Sequence, residues 1–340
     1  MKSFNNLYEK IYEFDNLHRA YLNARKNKRF KGEVLSFSNN LEENLITLQN
    51  ELIHESYTPS RYREFIVKEP KERLILALPF RDRVLHQAIN AVIEPIYESS
   101  FISDSFACRK GKGTLAGVKK NAFYLNKEIQ NNKKVFCLKM DITKFFYSID
   151  HEVLKKLLNR KIRCKRTLNL LNTIIDSTDN PGIPVGNLTS QLFANIYLNA
   201  LDHFIKEELR VKHYTRYMDD MIILGSSKAK LWEIHGEIRG FLESVLKLKF
   251  NKKTSVFSVE RGIDFLGYRQ YPERRILRKR VVVKNYRKFR KFIKVNASEE
   301  KIKRSLMSLK GQCNHCSSYP VLQNIKNILG EKTWAQMYLD

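Results

Sequence analysis

Cysteine is scarce in this chain, and what there is lies scattered. The five residues, Cys108, Cys137, Cys164, Cys313 and Cys316, are odd in number and widely spaced. That pattern argues against a disulfide framework and for a reduced, cytoplasmic setting. Long apolar runs are missing too: no segment is apolar enough for long enough to span a membrane. The opening MKSFNNLYEKIYEFDNLHRAY lacks the unbroken apolar core of a signal peptide. There is neither an internal repeat nor a low-complexity tract. Acidic residues are the other shortage, 36 against 62 Lys and Arg, which leaves a net charge of +26. With 43% hydrophobic residues in 340, the chain has ample material for a core, so it reads as globular rather than disordered. The basic excess is not dispersed. From Arg269 to Lys310 there are sixteen Lys or Arg and three Glu. Clustered positive charge points to a polyanionic partner, most often nucleic acid, through counterion release.

Residues 3–57 read as helical, with a basic break, RKNKRFKGE, at 25–33. SRYREFIVKEPKERLILALPFRDR predicts two short strands around a Glu-Pro-Lys-Glu turn. Val84, Leu85, Ala88, Ile89, Val92 and Ile93 set a helical period over 83–98. A basic, glycine-containing loop, SFACRKGKGTLAGV, leads into another helix, and KKVFCLKMDI at 133–142 is a strand ending at an acid. Residues 150–175 are mostly helical, and the loop NPGIPVGNLTS precedes a helix with Leu188, Leu192, Phe193, Ile196, Tyr197 and Leu201 on one side. After RYMDDMIIL come a helix at 229–247, a strand pair around KTSVFSVERGIDFLGYRQ, and a basic tail that turns helical after a short β element. This order suits a mixed α+β domain with an antiparallel sheet.

Asp219 and Asp220 sit where a two-residue turn would join two apolar strands. Taken alone they could be an acidic hairpin turn of the kind found in any β protein. Asp141, at the end of another apolar strand and close to Phe145 and Phe146, changes the balance. A third carboxylate beside the pair needs a cation, and a hard divalent ion with oxygen ligands supplies one. Two such ions roughly 3.5–4 Å apart stabilise in-line phosphoryl transfer. Three acids on a sheet in so basic a chain predict nucleotidyl transfer on nucleic acid.

Tyr217-Met218-Asp219-Asp220 resembles the YxDD signature of reverse transcriptases, and the likeness continues in order from about residue 60 to 270. KERLILALPFRDRVLHQAI resembles the fingers motif, SFACRKGKGT the next block in its bacterial form, DITKFF motif A, GIPVGNLTSQLFANIYL motif B, LKFNKKTS motif D and FLGY the primer grip. The resemblance implies a right-hand polymerase: an N-terminal helical region at 1–57, fingers at 58–134, an α+β palm at 135–270 and a basic helical thumb at 271–340. It implies RNA-directed DNA polymerase activity with two Mg²⁺ ions, Mn²⁺ being a substitute, held by Asp141 and Asp219 with Asp220 assisting. By position, Arg73 grips the incoming triphosphate, Phe146 is the steric gate against a ribose 2′-OH, and Lys253 is the motif D lysine, with Lys252 as its rival. The resemblance also implies dNTP binding by Val185, which stands where many reverse transcriptases place a glutamine on the nascent pair, and by Gln191. Nucleic acid is expected on Arg109, Lys110 and Lys112 of the basic loop, and on Arg278, Lys279, Arg280, Lys284, Arg287 and Lys288 of the tail, where cations alternate with apolar residues.

Motif B departs from the common pattern. Many reverse transcriptases read PQG where this chain has Pro184-Val185-Gly186, and intron enzymes read Ser-Pro where it has Ser190-Gln191. The pattern IPxGxxxSQ resembles the enzymes of diversity-generating retroelements, which copy a template-repeat RNA with errors at adenine and work with a small basic oligomeric accessory protein. An aliphatic Val185 cannot hydrogen-bond the forming pair, which would relax discrimination; its bulk could equally pack the pocket harmlessly. Two alternatives stand beside this reading: a retron-like, intron-like or defence-associated reverse transcriptase of ordinary fidelity, and a non-catalytic RNA-binding scaffold. CNHCSS at 313–318 is a lone Cys-x-x-Cys, read as core thiols rather than zinc ligands, and His86 has no assigned chemistry.

Overall fold

The computed structural model describes residues 3–68, 72–331 and 334. The chain divides into two compact units. One comprises Met1–Gly113, Lys139–Met221 and Glu233–Thr254; the other comprises Thr114–Leu138, Ile222–Trp232 and the chain from Ser255 onward.

The first unit opens with α1 (Tyr8–Tyr12), α2 (Phe14–Ala24), α3 (Gly32–Asn39) and α4 (Leu41–Ile53), the basic break separating α2 from α3. Strands β1 (Arg63–Val67) and β2 (Arg73–Ala77) pair antiparallel, with Val67 opposite Arg73. The turn expected between them lies, except for Glu72, outside the described residues. Helix α5 (Phe80–Glu98) packs along α2, and Leu17, Tyr21, Val84, Leu85, Ala88 and Ile89 form a buried seam at helical spacing. Asn16 closes the seam by donating to the Ala88 carbonyl at 3.2 Å.

The chain continues through α6 (Thr114–Asn131), β3 (Phe136–Asp141), a 3₁₀ turn at Phe145–Tyr147, α7 (His151–Asn159), α8 (Lys165–Ile175) and α9 (Leu188–His203). Next come β4 (Tyr214–Tyr217), β5 (Asp220–Gly225), α10 (Lys228–Ser244) and β6 (Ser255–Ser258). These strands form a four-stranded sheet in the order β4-β5-β3-β6. Helix α9 is more central than its one-sided apolar pattern predicts. Ala194, Asn195, Leu198 and Asp202 are buried along with the expected apolar face, because neighbours cover the helix on most sides.

In the second unit β7 (Ile263–Phe265), β8 (Tyr268–Gln270) and β9 (Arg275–Leu277) make an antiparallel meander. The strand pair expected across 253–270 is therefore three strands in two sheets. A 3₁₀ turn at Val259–Arg261 ends β6, and Gly262, at φ +78, re-aims the chain. A Cβ at Gly262 would lie 2.7 Å from Arg269 Nε and 2.8 Å from the Tyr271 ring, and its left-handed φ, which L side chains rarely adopt, is what makes the turn favour glycine. The basic tail folds as α11 (Lys279–Lys294), α12 (Glu299–Cys313) and α13 (Tyr319–Leu329), which bury Phe289, Phe292, Leu306, Leu309, Cys313 and Ile325. Cys313 is thus a core thiol, and Cys316 directs its thiol at the carbonyls of Cys313 and Gln312, 3.7 and 3.8 Å away. No helix among the described residues is long and apolar enough to cross a membrane.

Candidate active site

The acids meet at one end of the four-stranded sheet, because β5 lies between β4 and β3. Asp141 is the last residue of β3. The hairpin β4–β5 carries the other two, shifted one residue from expectation. Its two turn residues are Met218 and Asp219, whereas Asp220 already belongs to β5. Met218 makes this possible by adopting φ +52, a left-handed conformation unusual for a long side chain. Placing Asp220 in the strand gives it a partner, since Lys139 of β3 lies 3.2 Å from its carboxylate.

Nor is Asp219 the solvated turn residue that a bare hairpin would offer. Burial pushes its carboxyl up to about 6, and the charges of Asp141 and Asp220 push the same way while Arg73 pulls weakly back. Asp141, Asp220 and Arg73 thus all lie within electrostatic reach of Asp219. Among the described residues, no three His, Cys, Asp or Glu side chains are already closed around a point that a metal ion could fill. The donor set nevertheless fits a hard cation: three carboxylates with oxygen donors, and negative charge on Asp219 that its surroundings oppose.

Around the acids, the backbone links the other motifs. Asn251 donates its backbone N–H to the Asp141 carbonyl at 2.7 Å and its side-chain amide to Asp141 Oδ2 at 3.3 Å. Lys252 and Lys253 follow in an exposed turn, Lys253 N–H donating to Asn251 Oδ1 at 3.1 Å. Phe145 is buried and meets Phe146 edge-on at 5.5 Å, which leaves Phe146 half-buried. The Phe146 carbonyl accepts from Ile183 N–H at 2.8 Å, so motif B hangs on the Phe146 backbone. The Val185 carbonyl accepts from Leu76 N–H of β2 at 3.2 Å, with the Val185 side chain half-buried. Gln191, also half-buried, lies in the first turn of α9. Arg73, at the start of β2, is exposed.

One expected nucleic-acid contact is corrected. The Arg109 side chain is only 5% exposed and ion-pairs with Glu98 at 2.7 Å. It also donates to the carbonyls of Ile102 and Ser105 at 2.6 and 2.7 Å, so it stabilises its own loop instead of facing a phosphate. Lys112 is likewise bent back onto the Ser103 carbonyl at 2.8 Å, whereas Lys110 is exposed. In the tail, Arg278, Lys279, Arg280, Lys284, Arg287 and Lys288 are all exposed.

Several residues escaped sequence reasoning. Lys139 was visible in principle, since positions 139 and 141 of a strand share a face. Asn251 gave no local signal. Arg216, Asp202, Asn195 and Tyr214 form a polar cluster beneath the hairpin; a charged residue two before Met218 in an apolar strand was the available clue.

A sheet-borne acidic hairpin beside a strand-end acid, in a mixed α/β frame with antiparallel sheets, defines the right-hand polymerase class. Solved telomerases share the fold. Apo telomerase from Candida tropicalis superposes with a TM-score of 0.52 at 13% identity, over 67% of this chain and 59% of that one. The Candida tropicalis telomerase bound to a fragment of telomeric RNA gives 0.51 at 14%, over 88% and 57%. Within that class, residues 66–270 match the family of reverse transcriptases (RNA-dependent DNA polymerases), and the chain belongs to it. Protein YkfC of Escherichia coli is 27% identical over 266 residues, 65% of this chain and 70% of that protein. The group II intron-encoded protein LtrA of Lactococcus lactis is 26% identical over 268 residues, 74% of this chain but 43% of its own length. Family membership implies an RNA template, nucleotide substrates and divalent cations.

Proposed function

We propose that the chain is the RNA-directed DNA polymerase of a diversity-generating retroelement, copying a template-repeat RNA with errors at adenine. Asp141 and Asp219 would hold the divalent ions, Mg²⁺ with Mn²⁺ as substitute, and Asp220 assists while paired to Lys139. Bound there, the cations would activate the primer 3′-OH and neutralise the charge developing on the triphosphate. The chain's own groups position the reactants. Arg73 would offer the triphosphate a bidentate cation, Phe146 would clash with a ribose 2′-OH, and Lys253 stands on the exposed turn beyond Asn251. Exposed cations of α11 would follow the phosphates of the template-primer duplex, and a small basic oligomeric accessory protein would complete the particle.

The observation that carries the subtype is Val185. It stands half-buried in the motif B loop, tied by its carbonyl to β2, and brings no polar side-chain group to the forming pair. A second reading, an intron-like enzyme of ordinary fidelity, is favoured by the likeness to LtrA. Primer extension on an RNA template with Mg²⁺ and dNTPs, followed by sequencing of the cDNA, separates the two. Errors concentrated opposite adenine, reduced by Val185→Gln, support the retroelement reading; uniform fidelity leaves the intron-like one. No synthesis by the wild-type protein would overturn both and leave an RNA-binding scaffold, whereas synthesis that persists in Asp219→Asn would overturn the assignment of Asp219 as a metal ligand.

A further inference from the structure

Arg216 is the largest fully buried side chain among the described residues, and it precedes the hairpin turn by one residue, Tyr217. Both it and Asp202 of α9 are 0% exposed, and the pair is bidentate: Nε to Oδ1 at 2.8 Å and Nη2 to Oδ2 at 2.6 Å. The remaining nitrogen, Nη1, donates to Asn195 Oδ1 and to the Met218 carbonyl, each at 3.3 Å. The Arg216 backbone is fixed as well, its N–H donating to Asp104 O at 2.9 Å and its carbonyl accepting from Phe106 N–H at 3.0 Å. Tyr214 donates to Asp202 Oδ1 at 2.8 Å, and Asn195 donates to the Ala107 carbonyl at 2.9 Å.

Resting on the reading of Asp219 as catalytic, we propose that Arg216 is a positioning residue: anchored on Asp202, it holds the Met218 carbonyl and so fixes the turn that aims the Asp219 carboxylate. A buried ion pair is a poor device for stability alone, because apolar residues of similar volume commonly replace one at no loss. Its value lies in direction. A guanidinium is a rigid planar fork that can satisfy a carboxylate on one edge and a carbonyl on another. Met218 needs such a hold, since a left-handed conformation costs a non-glycine residue about 1–2 kcal/mol and persists only when its surroundings impose it. The Arg216 charge also acts on Asp219, so the cation lies within electrostatic range of the acid.

The test replaces the pair by apolar residues, Arg216→Met with Asp202→Leu, and measures melting temperature, duplex affinity, and the kcat and dNTP KM of primer extension. The expected result is a folded protein whose kcat falls by about 30- to 100-fold while KM and duplex affinity stay within about threefold, the signature of a misplaced reacting group. A folded double variant with wild-type kcat overturns the role. Should the double variant fail to fold, Asp202→Asn keeps the shape and weakens the anchor; an unchanged kcat there overturns the role equally, and a loss of about fivefold or more at constant KM supports it. Asp219→Asn run in parallel separates the two ideas. If it remains active, the reading of the site fails. If it is dead while the folded Arg216 and Asp202 variants are fully active, the site stands and the positioning role falls.

Discussion

A half-buried aspartate beside two others resists ionisation, and the consequence for Asp219 is measurable. Its folded-state pKa, about 6, lies above the ordinary 3.8, so the protonated acid favours the folded state below pH 4. That contribution is lost as pH rises through 6, where the ionised carboxylate weighs against folding by roughly 2–3 kcal/mol. Asp219→Asn should therefore abolish primer extension yet raise the melting temperature in chelator at pH 7.5, with little change at pH 4; equal shifts at both pH values would refute the account. His86 works in the opposite direction. Burial pushes its imidazole down to about 4, against a smaller upward pull from Asp82, and Nδ1 meets Thr189 Oγ1 at 2.8 Å. Its stability contribution is complete above pH 6.5 and is lost as pH falls towards 4. In His86→Gln the acid-side slope between those values should flatten, as read by urea unfolding at each pH; an unaltered slope excludes His86 as its source. If Phe146 is the steric gate, Phe146→Ala should admit ribonucleotides, raising rNTP over dNTP incorporation by about 10-fold or more. Continued exclusion of rNTPs would assign Phe146 to packing alone.

One scale up, motif B depends on how closely its loop approaches β2. Gly186 has φ +130, and a Cβ there would stand 3.2 Å from both the Leu76 carbonyl and Ile75 Cγ2. Gly186→Ala should therefore pull the loop away, break the Leu76–Val185 hydrogen bond and cost about 1–2 kcal/mol of stability, with kcat/KM for dNTP falling about 10-fold. Wild-type kcat/KM in that variant would mean that the loop tolerates the shift. This scale also shows what could be read from the residues alone. Strand β3 with its terminal acid, the β4–β5 hairpin and the amphipathic tail helices were legible, because each advertises itself through local periodicity and turn chemistry. The register of the hairpin was not: an Asp-Asp pair suggests itself as a turn, yet a left-handed Met218 and the Lys139 partner for Asp220 moved the turn back by one residue. Arg109 was misjudged for a related reason. Its basic neighbours suggested a phosphate contact, but Glu98, eleven residues away, turned it inward. Pairings made across the fold leave no local trace, and the Arg216–Asp202 anchor is the extreme case.

Across the whole chain the dominant quantity is the charge of +26, which sequence and structure distribute unevenly. Helix α11 carries much of it. Phe289 and Phe292 are buried on one face, whereas Arg287, Lys288 and Lys291 are exposed on the rest. Binding that rests on such cations releases condensed counterions, so affinity falls with salt in proportion to the phosphates neutralised, by about 0.9 in log–log slope for each contact with a duplex. Replacing Arg287, Lys288 and Lys291 together by Gln should weaken template-primer binding at low salt and reduce the slope by roughly 2–3, with kcat at saturating duplex unchanged. Phe289 and Phe292 keep their packing, and only the Lys288 ammonium over the Phe292 ring, 5.5 Å away, is lost, so the melting temperature should hold within a few degrees. Fluorescence anisotropy of a labelled RNA–DNA duplex between 50 and 300 mM KCl (roughly the range over which such slopes are resolved) gives the answer. An undiminished slope would mean that α11 does not follow the phosphates, and that the basic excess meets its polyanion on another face.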